Sequence, residues 1–397
     1  MQLQFSLSDC FEYLVADSVD TERVWKDAEN GKVLKVKLGI DPTSVNIHVG
    51  RAIPLWRLRA FQELGHQIQI VIGDFTALVG DTSDKDSKRP MLTPEQVQAN
   101  LVDYEKQLWM VLNPEKKDQV TFRYNSTWLG TLTFSEIAEL ADVFTVNQFI
   151  KRELIARRIE AGNPVSMREM LYPIMQGYDS VVLESDIEIG GSDQWFNLLA
   201  GRSLQEYKGQ PAQAIITNVL INGTDGQKMS SSVGNVISLN QPAFGMFTQG
   251  MQIADSMLKE SLNIFPRSAY PFTPEELDAR LASGENPKNL KQELAVRMVD
   301  LFYGDGQGNE ALARWERERS ELPSDIAEYS VTGEVMLTQL LVDSGLTPSK
   351  SEARRLIEQK GVRIEGVVQE TDLLLAAASL TGKVLQVGKH SFVRLVS

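Results

Sequence analysis

Residues 33–72 constrain the fold of this chain more than any other stretch. Val33 to Ile40 is rich in β-formers and closes on Gly39, Asp41 and Pro42, and a turn follows at Thr43 to Asn46. From Arg51 to Leu64 the apolar residues Ala52, Leu55, Trp56, Leu58 and Phe61 recur with helical spacing, and Ile68 to Ile72 is a second buried strand. Strand, polar turn, helix and strand in that order form the local unit of a doubly wound parallel α/β sheet. Such sheets bind ligands beyond the carboxyl ends of their strands, so the crevice should lie near His48.

The rest of the chain extends this plan. A polar loop, Gly80 to Arg89, precedes helical stretches at Pro94 to Leu112 and Phe134 to Glu160, a long insertion of the kind that forms a substrate or dimer surface. Asp186 to Ile189 and Pro211 to Leu220 predict further strands. Met246 to Tyr303 and Gly308 to Arg319 are mainly helical, with Pro266, Pro271 and Pro287 as breakers. Leu322 to Gly333, with Pro323, predicts a linker. Beyond it, Met336 to Ser344 and Lys350 to Gln359 have helical periodicity, while Val362 to Ile364, Leu385 to Val387 and Phe392 to Val396 predict short strands. This α+β tail resembles the compact RNA-binding fold named after a small-subunit ribosomal protein. The division is residues 1–222, 223–333 and 334–397.

Charge sharpens it. The net charge of −13 argues against a nucleic-acid face over the whole surface, since phosphate contacts need Lys and Arg. From residue 336 onward, however, eight basic residues face six acidic ones, so the tail is +2 and the remainder −15. Lys350, Arg354, Arg355 and Lys360 fall near one helical surface, suited to RNA backbone contacts. No apolar run approaches the roughly 18 residues that span a bilayer, and Met1 to Val15 carries Asp9 and Glu12 where a secretory signal is basic. A cytoplasmic location is expected. The single Cys10 and the scattered His48, His66 and His390 predict neither a disulfide nor a structural metal.

Four constellations carry the chemistry. His48-Val49-Gly50-Arg51 opens a helix, where the dipole and backbone N–H groups favour phosphate, and Lys228-Met229-Ser230-Ser231-Ser232 is a Ser-rich turn whose Lys could reach the same phosphates. In Gly39-Ile40-Asp41-Pro42-Thr43 the glycine admits a ligand to the backbone, and Asp41 and Thr43 add polar groups. His48, Arg51, Lys85, Arg89 and Lys228 can all donate to phosphate, and catalysis there would need mainly positioning and charge neutralisation. Tyr172, Gln176 and Asp179, at i, i+4 and i+7, share a helix face in a largely apolar segment, so a phenol, an amide and a carboxylate converge. Gly190-Gly191-Ser192-Asp193-Gln194 follows a strand; its glycines admit a ligand and Asp193 could accept from ribose hydroxyls.

Taken together, HVGR and KMSSS resemble the paired HIGH and KMSKS signatures of class I aminoacyl-tRNA synthetases. The full set, with the tail, resembles bacterial tyrosyl-tRNA synthetases over nearly the whole chain. The resemblance implies a Rossmann-like catalytic domain, a helical anticodon-side domain and an RNA-binding tail. It implies that Tyr172, Gln176 and Asp81 hold the substrate ammonium, Asp179 the phenol hydroxyl, and Gln194 the carboxyl end, with Thr76 and Asn125 in the same pocket. On the nucleotide side it implies Asp193 and Gly191 at the ribose and His48 and Thr43 near the phosphates, with Gly39, Asp41, Gly50, Lys228, Met229 and Ser231 completing the ATP site.

The chain also departs from the family. Lys37 stands where many members place a tyrosine against the substrate phenol, Arg51 replaces the second His of HIGH, and Ser231 replaces the second Lys of KMSKS. Gly80 to Asp84 lacks the usual Pro and Gly after the Asp. The expectation is a tyrosine-tRNA ligase using ATP with Mg²⁺, binding its tRNA and forming a homodimer through the insertion around 130–175. The other readings are a synthetase-derived RNA-binding or regulatory paralogue with weak or no ligase activity, and a small-molecule nucleotidyltransferase.

Overall fold

The computed structural model describes residues 3–42, 46–80, 93–101, 103–227, 229, 233–320, 326–388 and 391–396. Thr43, Asp81, Lys85, Arg89, Lys228 and Ser231 lie outside the described residues. The chain divides into two units, residues 1–315 and 316–397.

The first unit is built on strands β1 (Val15–Val19), β2 (Lys35–Ile40), β3 (Gln67–Ile72), β4 (Val120–Tyr124), β5 (Ile187–Gly191) and β6 (Ala214–Asn218), in the order β1-β6-β5-β2-β3-β4. All neighbours run parallel except β1, which is antiparallel to β6. All of β6 and four of the five residues of β5 are buried, as a parallel sheet covered on both faces requires. The chain winds from β2 out to β3 and β4, then crosses to β5 and β6, so the direction of winding reverses between β2 and β5. That switch point opens a crevice at the carboxyl ends of these two strands, where Gly39 and Gly190 lie.

The helix Val49–Glu63 joins β2 to β3. It buries Ile53, Leu55, Trp56, Leu58 and Phe61 in one cluster with Val36, Leu38, Ile68 and Ile70, each large side chain contributing about 1.5–3 kcal/mol. Pro54 sits inside this helix and lacks the N–H that would bond the Gly50 carbonyl. A longer helix, Met167–Leu183, starts at a Ser166 capping box with Glu169. It crosses the helix Trp195–Tyr207 at Gly177, where a Cβ would lie 3.0 Å from the Ala200 and Gly201 backbone. Helices Ala243–Gly250 and Pro287–Tyr303 place Met246, Phe247, Leu290, Leu294 and Met298 in the same apolar cluster as the sheet.

The second unit pairs β7 (Ala327–Ser330), β9 (Val362–Ile364), β10 (Val367–Val368), β12 (Val384–Val387) and β13 (Ser391–Val396) in the order β10-β9-β12-β13-β7, while β8 (Glu334–Met336) pairs with β11 (Leu374–Ala376). Helices Leu337–Asp343 and Lys350–Glu358 pack Leu337, Leu340, Leu341, Ala353 and Ile357 against Val362, Leu385 and Leu395. The linker expected over Leu322 to Gly333 is corrected here, because Ala327–Ser330 pairs in parallel with β13, Ala327 opposite Val393 and Ser330 opposite Val396. Three of its four residues are exposed, so this edge strand has no apolar alternation to betray it.

Candidate active site

A cavity of about 350 Å³ opens at the switch point. Its walls carry Gly39 and Asp41 from the end of β2, His48, Gly50 and Arg51 from the start of the following helix, Gly191 from the end of β5, and Asp193 and Gln194 beyond it. Tyr172, Gln176 and Asp179 enter together from the Met167–Leu183 helix, with Thr76, Asn125 and Met229 alongside. The structure therefore brings every described site residue to one cavity except Lys37 and the four tail residues.

One end of the cavity is a chain of hydrogen bonds. Asp41 accepts from Tyr172 Oη at 2.7 Å and from Thr76 Oγ1 at 2.7 Å, and Asn125 Nδ2 donates to Thr76 Oγ1 at 3.2 Å and to Asp179 Oδ2 at 3.3 Å. Trp128 Nε1 donates to Asp179 Oδ1 at 2.8 Å. A Cβ on Gly73 would fall 2.0 Å from Asp41 Oδ1 and 2.3 Å from Thr76 Oγ1, so only glycine leaves this junction intact. Burial pushes the Asp179 carboxyl up to about 7, against the pull of Lys37 and of the Trp128 and Asn125 hydrogen bonds. A carboxyl so placed is suited to accept from a neutral hydroxyl.

The other end is built for anions, though differently from what the motif alone implies. His48 caps its helix in extended conformation without a side-chain bond. The Val49 and Arg51 N–H groups are already taken, by the Ile237 carbonyl at 2.9 Å and the His48 carbonyl at 2.8 Å. Burial, aided by the Arg51 charge, lowers the His48 imidazole to about 4, so it is neutral at pH 7 and acts as a hydrogen-bonding group. Arg51 Nη1 donates to Tyr104 Oη at 3.3 Å. A Cβ on Gly50 would meet Met229 Sδ at 2.9 Å and His48 Nδ1 at 3.1 Å, so this glycine lets the two motifs close on each other. At the end of β5, a Cβ on Gly191 would meet Asp193 Oδ1 at 2.3 Å. Gln194 Oε1 accepts from Asn197 Nδ2 at 2.8 Å.

Lys37 stands apart. It is fully buried beneath the cavity, its ammonium bonded to Glu188, Ser180 and the Gln176 carbonyl, and it is not among the cavity walls. On the tail, Lys350, Arg354, Arg355 and Lys360 are all exposed, but Arg355 pairs with Glu352 and Lys360 with Glu370 at 2.7 Å.

Sequence reasoning passed over Glu188, Trp128, Tyr104, Gly73 and Asn218. Glu188 had a signal, a carboxylate between Ile187 and Ile189 in a strand otherwise apolar. Asn218 Oδ1 holds buried Arg57 at 2.9 Å and its Nδ2 reaches the Gly190 carbonyl at 3.3 Å, contacts that only the folded sheet creates.

Known proteins resemble this chain in sequence and in fold. Residues 29–318 match the family model for class I tRNA synthetases of the tryptophan and tyrosine type. A tyrosine–tRNA ligase of Ralstonia nicotianae is 40% identical over 98% of this chain and 98% of its own, and one of Moorella thermoacetica is 43% identical over 93% and 90%. The fold matches a tyrosyl-tRNA synthetase of Archaeoglobus fulgidus crystallised with L-tyrosine, at TM-score 0.60 and 21% identity over 77% of this chain and 98% of that one. These relatives lend no support to the regulatory or nucleotidyltransferase readings. The chain belongs to the tyrosine–tRNA ligases, within the class I tRNA synthetases that serve tryptophan and tyrosine.

Proposed function

We propose that the switch-point cavity performs both steps of tyrosine ligation, and that the observation carrying this reading is the fully buried Asp179 carboxylate facing the same cavity as the anion-suited helix start. In this reading Asp179 accepts from the phenol hydroxyl, Tyr172, Gln176 and Asp81 hold the ammonium, and Gln194 lies by the carboxylate. Asn125 and Thr76 keep Asp179 and Asp41 in place. Asp41 stands between the two substrates, and Gly39 and Gly191 let the nucleotide approach the backbone while Asp193 meets its ribose.

The tyrosine carboxylate oxygen then attacks the α-phosphorus and pyrophosphate leaves with the electrons of the broken P–O bond. Arg51, Lys228, Lys85 and Arg89 neutralise charge that builds on the phosphates, neutral His48 adds a hydrogen bond, and Thr43, Gly50, Met229 and Ser231 shape that end. Mg²⁺ enters with the nucleotide as part of the substrate. In the second step a hydroxyl of the terminal tRNA ribose attacks the acyl carbon and AMP leaves. Residues 1–222 carry the chemistry, the helical stretch from 223 to the end of the first unit the anticodon side, and the second unit, which takes in Ala327–Ser330 as well as 334–397, contacts RNA through Lys350, Arg354, Arg355 and Lys360.

The insertion supports a homodimer. Phe134, Val146, Ile159 and Met167 are 88%, 72%, 48% and 76% exposed, large apolar side chains that a second copy would cover. A cytoplasmic site of action fits a ligase that meets tRNA, and among the described residues no helix is long and apolar enough to cross a membrane.

ATP–pyrophosphate exchange with a panel of amino acids, followed by tRNA charging, tests the assignment. Tyrosine should drive both. Exchange driven equally by phenylalanine or tryptophan would overturn the role given to Asp179.

A further inference from the structure

Beneath the cavity lies a buried charged cluster. Lys37 on β2 and Glu188 on β5 stand opposite each other in the parallel ladder, both 0% exposed, with Nζ and Oε1 3.0 Å apart. The Lys37 ammonium also donates to Ser180 Oγ at 2.8 Å and to the Gln176 carbonyl at 3.0 Å, so all three of its donors are used. Glu188 accepts from Ser180 Oγ at 3.0 Å, from Gln213 Nε2 at 2.5 Å and from Gln176 Nε2 at 3.1 Å. Gly201 makes room for the cluster, since a Cβ there would meet Gln213 Nε2 at 2.5 Å and Ser180 Oγ at 2.9 Å. A buried ion pair is often no more stabilising than apolar residues of the same volume, so stability alone does not account for this one.

Its geometry supplies another account. An ionised carboxylate only accepts hydrogen bonds, so Glu188 can bond the Gln176 amide only through its NH₂ end. Lys37 is the ion-pair partner of Glu188, with Nζ 3.0 Å from Oε1. The amide oxygen is thereby turned away from Glu188, and Gln176 lines the cavity. Among the described residues nothing donates to that oxygen.

We propose that Lys37 and Glu188 are a positioning pair that locks the Gln176 amide with its oxygen toward the cavity and so sets recognition of the tyrosine ammonium. The inference rests on the reading of Gln176 as an ammonium acceptor. The same lysine draws the Asp179 carboxyl toward its charged form, so one buried cation serves both ends of the amino acid.

The test compares tyrosine with 3-(4-hydroxyphenyl)propionate, which lacks only the α-amino group. In the full chain, Glu188→Gln lets the Gln176 amide turn either way. It should raise the tyrosine KM in pyrophosphate exchange roughly tenfold or more, the scale of one hydrogen bond to a charged group, with kcat little changed. Inhibition by the desamino analogue should stay as it was. Equal weakening of tyrosine and analogue would mark a merely structural role and overturn the proposal, as would an unchanged tyrosine KM.

Should Glu188→Gln fail to fold around the unpaired lysine, the double variant Lys37→Met/Glu188→Met removes the pair without leaving a buried charge. It should weaken tyrosine by more than the analogue, the part common to both reflecting the lost pull of Lys37 on Asp179, and equal weakening of the two, or tyrosine binding as tight as in the unmodified chain, would overturn the proposal. Gln176→Leu separates the two levels. A loss of tyrosine but not of the analogue supports the role of Gln176 itself, and that loss without a matching one in Glu188→Gln overturns the positioning pair alone. If Gln176→Leu does not discriminate, the underlying reading of Gln176 fails first.

Discussion

The two units of this chain bury different things. The first encloses Lys37, Arg57, Arg158, Glu169, Asp179 and Glu188, all below 4% exposed, whereas among the described residues of the second only Thr338 and Thr347 are buried polar side chains. The tail keeps its charges in water around a small apolar core. A cavity that distinguishes one small molecule needs charges fixed before the ligand arrives, and holding them out of water costs stability. A surface that meets a phosphate backbone needs only solvated cations at suitable spacing. Effects of substitution should therefore be large and specific in the first unit, small and additive in the second.

Asp179→Asn should produce the largest effect. Losing a charged acceptor for the phenol should lower kcat/KM for tyrosine by about tenfold to a hundredfold, while phenylalanine is not penalised. The ligand-free protein should at the same time become more stable at pH 8. The sign follows from the raised carboxyl. Between its ordinary value of 3.8 and about 7 the native state holds a proton that the unfolded chain has released, so stability falls as pH rises through that window and the full cost is present above it. The gain on removing the carboxyl is on the order of a few kcal/mol at pH 8 and shrinks toward pH 4. Thermal unfolding at both pH values checks it, and a loss of stability at pH 8 would break the contrast between units.

Removing the second unit comes next. Because Ala327–Ser330 belongs to the tail sheet, the cut belongs after Ser320, where the preceding helix ends, and not at 335. Tyrosine-dependent pyrophosphate exchange should survive, since the cavity lies wholly in the first unit, while tRNA charging should fall by far more. Equal losses would show that the tail supports the catalytic fold. A milder effect follows in the intact enzyme. If tyrosine binds the ionised Asp179, its KM should rise about tenfold between pH 8 and pH 6, and that of phenylalanine should not.

What could be read in the sequence follows the same division. The two strands and the helix between them, Lys35–Ile40, Val49–Glu63 and Gln67–Ile72, were legible because buried parallel strands and an apolar helix stripe leave strong periodicity. The trio Tyr172, Gln176 and Asp179 was legible because helical spacing alone puts them on one face. Edge strands were not: β1 and β7 are mostly exposed and lean on partners distant in sequence. Neither was the place of Lys37, because register between β2 and β5 decides that its ammonium meets Glu188 beneath the cavity. Trp128 reaches Asp179 across 51 residues, a contact no local pattern encodes.

Single charges of the tail should show the smallest effects, and not equal ones. Arg354 is exposed and forms no ion pair among the described residues, so all of its charge is available to a phosphate. Arg355 already bonds Glu352, and Lys360 bonds Glu370. Such surface pairs are worth at most about 1 kcal/mol, yet RNA must compete with them, and the freed carboxylate then faces the backbone. Arg354→Ala should therefore weaken tRNA binding a few-fold and reduce the slope of log affinity against log salt by roughly 0.7–0.9, one phosphate contact, whereas Arg355→Ala should change both less. Binding titrations at several salt concentrations decide it. A salt slope untouched by either substitution would place the RNA surface elsewhere on the chain and remove the basis for treating the tail as its solvated face.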